Sequence, residues 1–200
     1  MSKPTKDPRI GVYVCHCGLN IAQSVDCRRV ARTVENEDGV VVSKDIVYAC
    51  SEPGQQQIKQ DIIDNGLDRV VIASCSPRLH EATFKKMIDS VGLNPYMLDM
   101  ANLREQCSWV HMNDHAGATL KAETLVNMSI SRVRHLQPLT EETLPLTPKT
   151  LVIGGGIAGI QAALDLADSG YDVTLVEKSP SVGGVMAQID KTFPTMDCSI

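Results

Sequence analysis

The sequence lacks three features that would place it at once in a common class of protein. Its formal net charge is −5 at pH 7, so it offers no basic surface of the kind that binds nucleic acid. No apolar run approaches the roughly 20 residues needed to cross a bilayer. The polar start, MSKPTKDPR, does not resemble a secretory signal peptide. We therefore expect a cytoplasmic protein without a membrane span.

Metal-binding motifs of familiar spacing are missing as well. The chain has no C-x2-C-x2-C run of a bacterial ferredoxin, no paired C-x2-C motifs of a zinc site and no H-E-x-x-H helix. It nevertheless contains seven cysteines. In a reducing compartment such thiols are more often metal ligands or redox groups than disulfides. Ligation by cysteines distant in sequence therefore stays open.

The composition, 43% hydrophobic and 22% charged, is typical of chains with a packed core. Residues 1–135 alternate strand and helix patterns, which predicts an α/β domain with a parallel sheet and crossover helices. Within this domain we expect a loop over 20–25, a strand over 94–100 and a helical stretch over about 103–111. Residues 136–149 hold three prolines and no periodicity, so we expect an extended linker. Residues 150–200 predict the first β-α-β part of a second, Rossmann-like domain.

The most specific pattern lies at residues 151–177, LVIGGGIAGIQAALDLADSGYDVTLVE. An apolar strand leads into G-x-G-x-x-G, a helix follows, and a second strand ends at an acidic residue. Gly154 allows a sharp turn, Gly156 lets a pyrophosphate approach the backbone, and Gly159 allows close packing of helix and strand. Glu177 can accept hydrogen bonds from both ribose hydroxyls and would repel a 2′-phosphate, which argues against NADP. The pattern alone leaves FAD and NAD open.

The run 178–184, KSPSVGG, resembles the flavoprotein disulfide-reductase superfamily, in which a glycine pair passes under the flavin nucleotide. This resemblance favours FAD. The predicted cofactor-binding residues are Gly154, Gly155, Gly156, Ile157, Ala158, Gly159, Glu177, Lys178, Gly183 and Gly184.

Three cysteines share a position in the predicted fold, because Cys15, Cys50 and Cys75 each follow the end of a predicted strand. The carboxyl ends of parallel strands meet at one edge of a sheet, where ligands bind, so we expect these thiols to meet there. Our preferred ligand set is Cys50, Cys75 and Cys107, with Cys198 as a fourth and Cys15 and Cys17 as alternates. The competing interpretation is that most cysteines are small buried apolar residues, which we favour for Cys27.

The histidines give weaker signals. His111 and His115 are four residues apart on a predicted helix, which is a metal-ligand spacing, but a surface role is favoured. For His80, near the start of a helix, we expect a capping role.

Taken together, the chain resembles the N-terminal part of the heterodisulfide reductase A-subunit family. The segments that carry this resemblance are VYVCHCGLNIA at 12–22, YACSEPGQ at 48–55, VVIASCSPRLHEATF at 70–84, LNPYMLDMANLREQCSWVH at 93–111, residues 151–184 and MDCSI at 196–200. The resemblance implies a cytoplasmic component of electron-bifurcating complexes that carries FAD and [4Fe–4S] clusters. Its implied partners are a hydrogenase or formate dehydrogenase module, ferredoxin and a heterodisulfide-reducing module.

The sequence departs from that family by ending at Ile200, where the family pattern continues with another cysteine. We hypothesise a UGA codon there, translated as selenocysteine in the cell; an engineered truncation and a broken gene are the alternatives. The DNA beyond this point decides between them. We expect the 200 residues alone to bind FAD weakly and to be inactive.

Two other functions stay open from the residues themselves. Residues 1–135 could be a regulatory or assembly domain that binds partner subunits without a cluster. The chain could also be part of an NAD-dependent oxidoreductase without flavin.

Overall fold

A computed structural model describes residues 7–199 of the chain. The chain forms two compact units, Met1–Thr140 and Glu141–Ile200. Two predictions concern parts of the chain outside the described residues. One is that the first six residues do not belong to a signal peptide, and the other is the selenocysteine expected after Ile200. Within 7–199, no helix has the length and apolar character needed to cross a membrane.

The first unit is built on a four-stranded parallel sheet in the order β2-β1-β3-β4. Its strands are β1 (Ile10–Cys15), β2 (Val40–Ile46), β3 (Arg69–Ser74) and β4 (Leu98–Asn102). The chain runs from β1 to β2 on one side and then crosses to β3 on the other side of β1. The strand order therefore reverses between β1 and β3, and in open α/β sheets the crevice beyond this reversal is where ligands bind. The predicted α/β fold is confirmed.

Helices cover both faces of the sheet. They are α1 (Leu19–Ala22), α2 (Cys27–Thr33), α3 (Glu52–Asn65), α4 (Pro77–Asp89) and α5 (His115–Arg134). Helices α2 and α5 pack on one face, and α3 and α4 pack on the other. Because side chains alternate along a strand, Val12 and Val14 face α2 and α5, whereas Tyr13 and Cys15 face α3 and α4.

Local sequence signals set the helix ends that carry the site. The Ser51 hydroxyl accepts a hydrogen bond from the Gly54 amide and caps α3. Gly66 ends the same helix in the left-handed conformation, with φ 53°. The Ser76 hydroxyl caps α4 by accepting from the Arg78 amide. Two caps at the same edge of the sheet thus fix the turns that follow β2 and β3.

Three sequence-based boundaries were wrong. Residues 20–25, expected as a loop, contain the end of α1. Strand β4 was expected over 94–100 and instead begins at Leu98, because the Asn94 side chain accepts from the Tyr96 amide and holds a turn there. The helix expected over 103–111 is a single π-helical turn, Arg104–Ser108.

The predicted helical pairing of two histidines also fails. The Asp114 carboxylate caps α5 by accepting from the Gly117 amide at 2.9 Å. The helix therefore begins at His115 and leaves His111 outside it, where its ring nitrogen lies 3.4 Å from Lys121 Nζ.

The second unit contains a parallel pair, β5 (Lys149–Ile153) and β6 (Asp172–Val176), joined by α6 (Ile157–Asp168). This is the β-α-β unit that the glycine motif predicts. Helix α6 has no buried residue. Leu151 and Ile153 of β5 are 60% and 81% exposed, so one apolar side of this pair is open within the unit.

Candidate functional site

The glycine loop between β5 and α6 is shaped by two close approaches. A Cβ atom placed on Gly159 would lie 1.8 Å from the Gly154 carbonyl oxygen, so only glycine lets the first turn of α6 pass this close to the loop. Gly156 behaves oppositely, because a Cβ atom placed there would meet no atom within 4 Å. The space in front of Gly156 is thus free for a ligand, beside the unpaired amides at the start of α6.

Glu177 follows β6 and reaches back to this loop. One carboxylate oxygen accepts from the Gly155 amide at 2.7 Å, and the other accepts from the Ser179 amide at 2.8 Å. The hydrogen bonds from the Ser179 and Gly155 amides lower the pKa of Glu177 below its ordinary value. The carboxylate is therefore held in its charged form next to the loop that would carry the phosphates.

The glycine pair after Glu177 lies against the same loop. The Gly183 amide donates to the Gly155 carbonyl at 2.7 Å. A Cβ on Gly184 would lie 2.9 Å from the Gly156 Cα, so this contact requires glycine. Of the other predicted cofactor-binding residues, Ile157, Ala158 and Lys178 are exposed. The loop, the carboxylate and the glycine pair thus surround one site.

The first unit carries a different site at the carboxyl edge of its sheet, a small cavity with several thiols in its lining. We call it the cysteine cavity. It lies where the strand order reverses, and its lining residues are Cys15, Cys17, Tyr48, Cys50, Ser74, Cys75, His80, Phe84 and Arg104.

The four cysteines reach this cavity from three turns. Cys15 ends β1, and Cys17 follows in a left-handed conformation with φ 49°, which is uncommon for a residue with a side chain. Cys50 and Cys75 each stand one residue before the cap of a helix, α3 and α4 respectively. The expectation that Cys15, Cys50 and Cys75 meet at one edge describes this cavity.

The thiols differ in their surroundings. Cys15 is buried, and its sulfur accepts from the amides of Cys17 and Ala49 at 3.3 and 3.4 Å. Burial raises the pKa of Cys15, and these amides oppose the rise. Burial also raises the pKa of Cys75, and the nearby Arg104 guanidinium opposes that rise. Burial therefore dominates and the pKa of both thiols stays raised, while the backbone amides and the Arg104 cation only lessen that rise.

Arg104 is the cationic group of the cavity. Its Nη1 lies 3.5 Å from Cys17 Sγ, and its Nε and Nη2 donate to one carboxylate oxygen of Glu105 at 3.1 and 2.8 Å. The guanidinium carbon also lies 5.0 Å from the centre of the Trp109 ring. Sequence reasoning gave Arg104 no place in a cysteine site, because it lies 29 residues beyond Cys75 in the chain.

Only part of the preferred cysteine set lies at the cavity. Cys50 and Cys75 line the cavity, but Cys107 does not: it is fully buried on the α5 face, with its sulfur donating to the Ala118 carbonyl at 3.1 Å. The two alternates, Cys15 and Cys17, do line the cavity. Cys198 is exposed and lies in the second unit.

The structure also tests the predictions made for Cys27 and His80. Cys27 is buried at the start of α2, as expected of a small apolar residue, and its pKa is raised by burial to about 12. His80 does not cap α4. Its ring lines the cysteine cavity and stands edge-on to Phe84, with ring centres 6.5 Å apart.

The cysteine sulfurs of the cavity suit a thiol-ligated group, whereas the volume of the cavity is small. Its volume is about 30 Å³, so the side chains would have to move apart around a bound group. Across residues 7–199, no three His, Cys, Asp or Glu side chains are placed to hold a metal ion. A [4Fe–4S] cluster binds each cysteine at a different iron, so its ligands are more widely spaced than those of one ion. Four thiols on one cavity fit that chemistry.

The β-α-β unit and its glycine loop define the second unit as the start of a Rossmann-like domain of the kind that binds dinucleotides. A family model described as "FAD dependent oxidoreductase" matches residues 150–193.

Curated relatives extend the match over nearly the whole chain. It is 58% identical to the second iron-sulfur A-subunit of the CoB–CoM heterodisulfide reductase of Methanopyrus kandleri, over 98% of this chain and 30% of the relative. It is 55% identical to the A-subunit of the H2:CoB-CoM heterodisulfide,ferredoxin reductase of Methanothermobacter thermautotrophicus, over the same shares. The iron-sulfur A-subunit of Methanocaldococcus jannaschii is 52% identical over 96% of this chain and 29% of its own length. The chain therefore belongs to the heterodisulfide reductase A-subunit family and spans about 30% of the length of these relatives.

Proposed function

We propose that this chain is the flavin- and cluster-bearing part of an electron-transfer subunit in a heterodisulfide-reductase-like complex. The observation that carries the proposal is the presence, in one chain, of a dinucleotide loop and a cavity lined by four cysteines. In this proposal the loop binds the adenosine diphosphate part of FAD, and the cavity binds a [4Fe–4S] cluster. FAD and clusters together allow exchange between two-electron and one-electron carriers.

The nucleotide part of the proposal rests on open space and fixed charge. The position in front of Gly156 is free, and the helix start behind it can donate amide hydrogen bonds to phosphate. The charged Glu177 would accept from ribose hydroxyls after giving up or sharing its amide partners. The family model for FAD dependent oxidoreductases supports FAD over NAD.

For the cluster we propose the ligands Cys15, Cys17, Cys50 and Cys75, in place of a set that includes Cys107. This choice rests on the shared cavity and on the position of Cys107 at the opposite face of the sheet. Cys198 remains a candidate for the second unit. The relatives' names mention iron–sulfur, ferredoxin and H2. By analogy we propose that the partner subunits include a hydrogenase or formate dehydrogenase module. We also propose that ferredoxin is an electron acceptor and that electrons bifurcate at the flavin.

Anaerobic purification of the 200-residue chain tests the cluster. We expect about four irons and four acid-labile sulfides per chain, as a [4Fe–4S] cluster requires. The Cys75→Ser and Cys50→Ser variants should lose most of this iron, whereas Cys107→Ser should keep it. A wild-type chain without iron and sulfide, or a Cys107→Ser variant that loses as much as Cys75→Ser, contradicts the assignment. A Cys198→Ser variant reports whether the second unit contributes.

A second function is favoured by the size of the cavity. At about 30 Å³ and without a close set of metal ligands in residues 7–199, the first unit could act as an assembly domain that binds partner subunits and holds no cluster. The same iron and sulfide analysis decides between the two. Bound flavin is measured separately by its absorption. A complete protein without flavin absorption would favour the alternative of an NAD-dependent oxidoreductase.

A further inference from the structure

We propose that Arg104 is a positioning residue of the cysteine cavity, whose fixed positive charge raises the reduction potential of the redox group held by the four thiols. The inference rests on the proposed cluster. It goes beyond that proposal because it assigns the control of potential to a residue that is not a ligand.

Arg104 is held in place by three different contacts. Glu105 accepts two of its N–H groups at 3.1 and 2.8 Å, the Trp109 ring lies 5.0 Å from the guanidinium carbon, and Nη1 points to Cys17 Sγ at 3.5 Å. The Arg104 side chain is only 17% exposed. These contacts and the low exposure hold the charge of Arg104 beside the cavity.

The chemistry of the residue matters as much as its position. Arginine stays charged at all relevant pH values, and an N–H donated to a cysteine sulfur is one of the interactions that set cluster potentials. When the thiol-held group accepts one electron, its charge becomes more negative by one and no bond to it is broken. A cation within a few ångströms stabilises that added charge, and the effect is larger in a partly buried site than in water.

Glu105 places a negative charge next to the positive charge of Arg104. Its carboxylate lies on the side of Arg104 bound by Nε and Nη2, while Nη1 faces Cys17. Removal of the Arg104 charge should therefore lower the potential, and removal of the Glu105 charge should raise it. A loss of packing would move both variants in the same direction.

The test measures the midpoint potential of the anaerobically prepared 200-residue chain by redox titration followed by electron paramagnetic resonance. For Arg104→Gln we expect the reduction equilibrium to shift about tenfold towards the oxidised form, which is about 59 mV for a one-electron couple. Arg104→Lys keeps the charge but loses the guanidinium contacts, so its potential should lie between those of the wild type and Arg104→Gln, and Glu105→Gln should shift the potential upwards. Arg29→Gln removes a similar arginine–glutamate pair outside the cavity, Arg29 with Glu123, and should leave the potential unchanged.

Iron and sulfide content is measured in the same samples. Wild-type chain without iron and sulfide overturns the proposed cluster and this inference together. Equal iron content with an unchanged potential in Arg104→Gln overturns the inference alone. If Arg104→Gln loses its iron, the other two variants decide: an upward shift in Glu105→Gln with a potential at or below the wild-type value in Arg104→Lys supports the inference, and a downward shift in Glu105→Gln contradicts it.

A second readout needs no iron. Trp109 is the only tryptophan of the chain, so its fluorescence reports the Arg104 contact directly. In the iron-free protein, Arg104→Gln should change the emission of Trp109, whereas Arg29→Gln should not. An unchanged emission in Arg104→Gln would show that Arg104 is not held on the Trp109 ring, which removes the basis of the inference.

Discussion

The Glu177 carboxylate accepts a hydrogen bond from the Gly155 amide, 22 residues earlier in the chain, at 2.7 Å. This bond joins the end of β6 to the loop that follows β5. The proposed ribose-binding group and the proposed phosphate-binding loop are thus positioned by each other, even without a nucleotide.

The charge of Glu177 should determine which nucleotides the second unit accepts. We expect the wild-type chain to prefer ADP over 2′,5′-ADP, because a carboxylate repels a 2′-phosphate. In Glu177→Gln this preference should fall about tenfold, because the charge that repels the 2′-phosphate is removed. Isothermal titration with both nucleotides measures it. Asp172→Asn, the same change of charge at the other end of β6, is the control and should keep the preference.

The pKa of Glu177 predicts how this preference depends on pH. Hydrogen bonds from the Ser179 and Gly155 amides lower the pKa in the folded state. The stability that the carboxylate contributes is therefore present above its ordinary value of 4.5 and is lost as the pH falls through the lowered value. Because a 2′-phosphate itself gains a proton at about pH 6, the wild type is compared with Glu177→Gln at each pH. We expect the difference between these two chains to persist from about pH 7 to about pH 5, and its disappearance within that range would contradict the charged state that we infer.

Two glycines of the loop should respond differently to the same substitution. A Cβ at position 159 would lie 1.8 Å from the Gly154 carbonyl oxygen, whereas a Cβ at position 156 would meet no protein atom within 4 Å. Gly159→Ala should therefore disrupt the β-α-β unit and expose it to proteolysis. Gly156→Ala should fold normally and lose nucleotide binding, because its methyl group would stand in the ligand space. If the Gly156→Ala chain binds nucleotide as wild type does, the ligand does not lie where we propose.

The sequence predicted the β-α-β unit well because all its signals are local and consecutive. The apolar strand, the three glycines, the helix and Glu177 occur in order within 27 residues, so no long-range information was needed. The meeting of Cys15, Cys50 and Cys75 also followed from topology, since carboxyl ends of parallel strands gather at one edge.

The choice among the cysteines could not be made from local patterns. Cys107 follows β4 in sequence, but a π-helical turn rotates its side chain towards α5. A helix of ordinary pitch was expected there, and the start of β4 was placed four residues too early. The side of the sheet on which Cys107 lies depends on this turn and on the end of β4, so it could not be deduced from the sequence pattern. The role of Arg104 depends on contacts between residues 87 positions apart, which no local pattern contains.

The turn that carries Cys50 should depend on a glycine in the next helix. A Cβ on Gly54 would lie 2.2 Å from the Tyr48 carbonyl oxygen, which is a clash with backbone. Gly54→Ala should therefore push the first turn of α3 away from residues 48–50 and destabilise the chain by about 1–3 kcal/mol. Urea unfolding followed by circular dichroism measures the loss.

The exposed Gln56 in the same helix turn provides the control. Gln56→Ala should change stability by less than about 0.5 kcal/mol. The iron content of Gly54→Ala should also fall, because Cys50 moves with the turn. Full iron content in a destabilised Gly54→Ala chain would contradict the place of Cys50 in the ligand set.

Cys27 should make the stability of the first unit depend on alkaline pH. Burial raises its pKa from 9.0 to about 12. Below about pH 9 the thiol is protonated in both the folded and the unfolded chain, so it has no effect on the pH dependence. Between about pH 9 and 12 the unfolded chain releases this proton and the folded chain keeps it. The free energy of unfolding therefore falls by about 1.4 kcal/mol per pH unit because of this group. Cys27→Ala removes this contribution. Urea unfolding at several pH values from about 8 to 10.5 should show the wild type losing stability relative to Cys27→Ala above about pH 9, and parallel curves would show that the thiol ionises as readily in the folded chain as in the unfolded one.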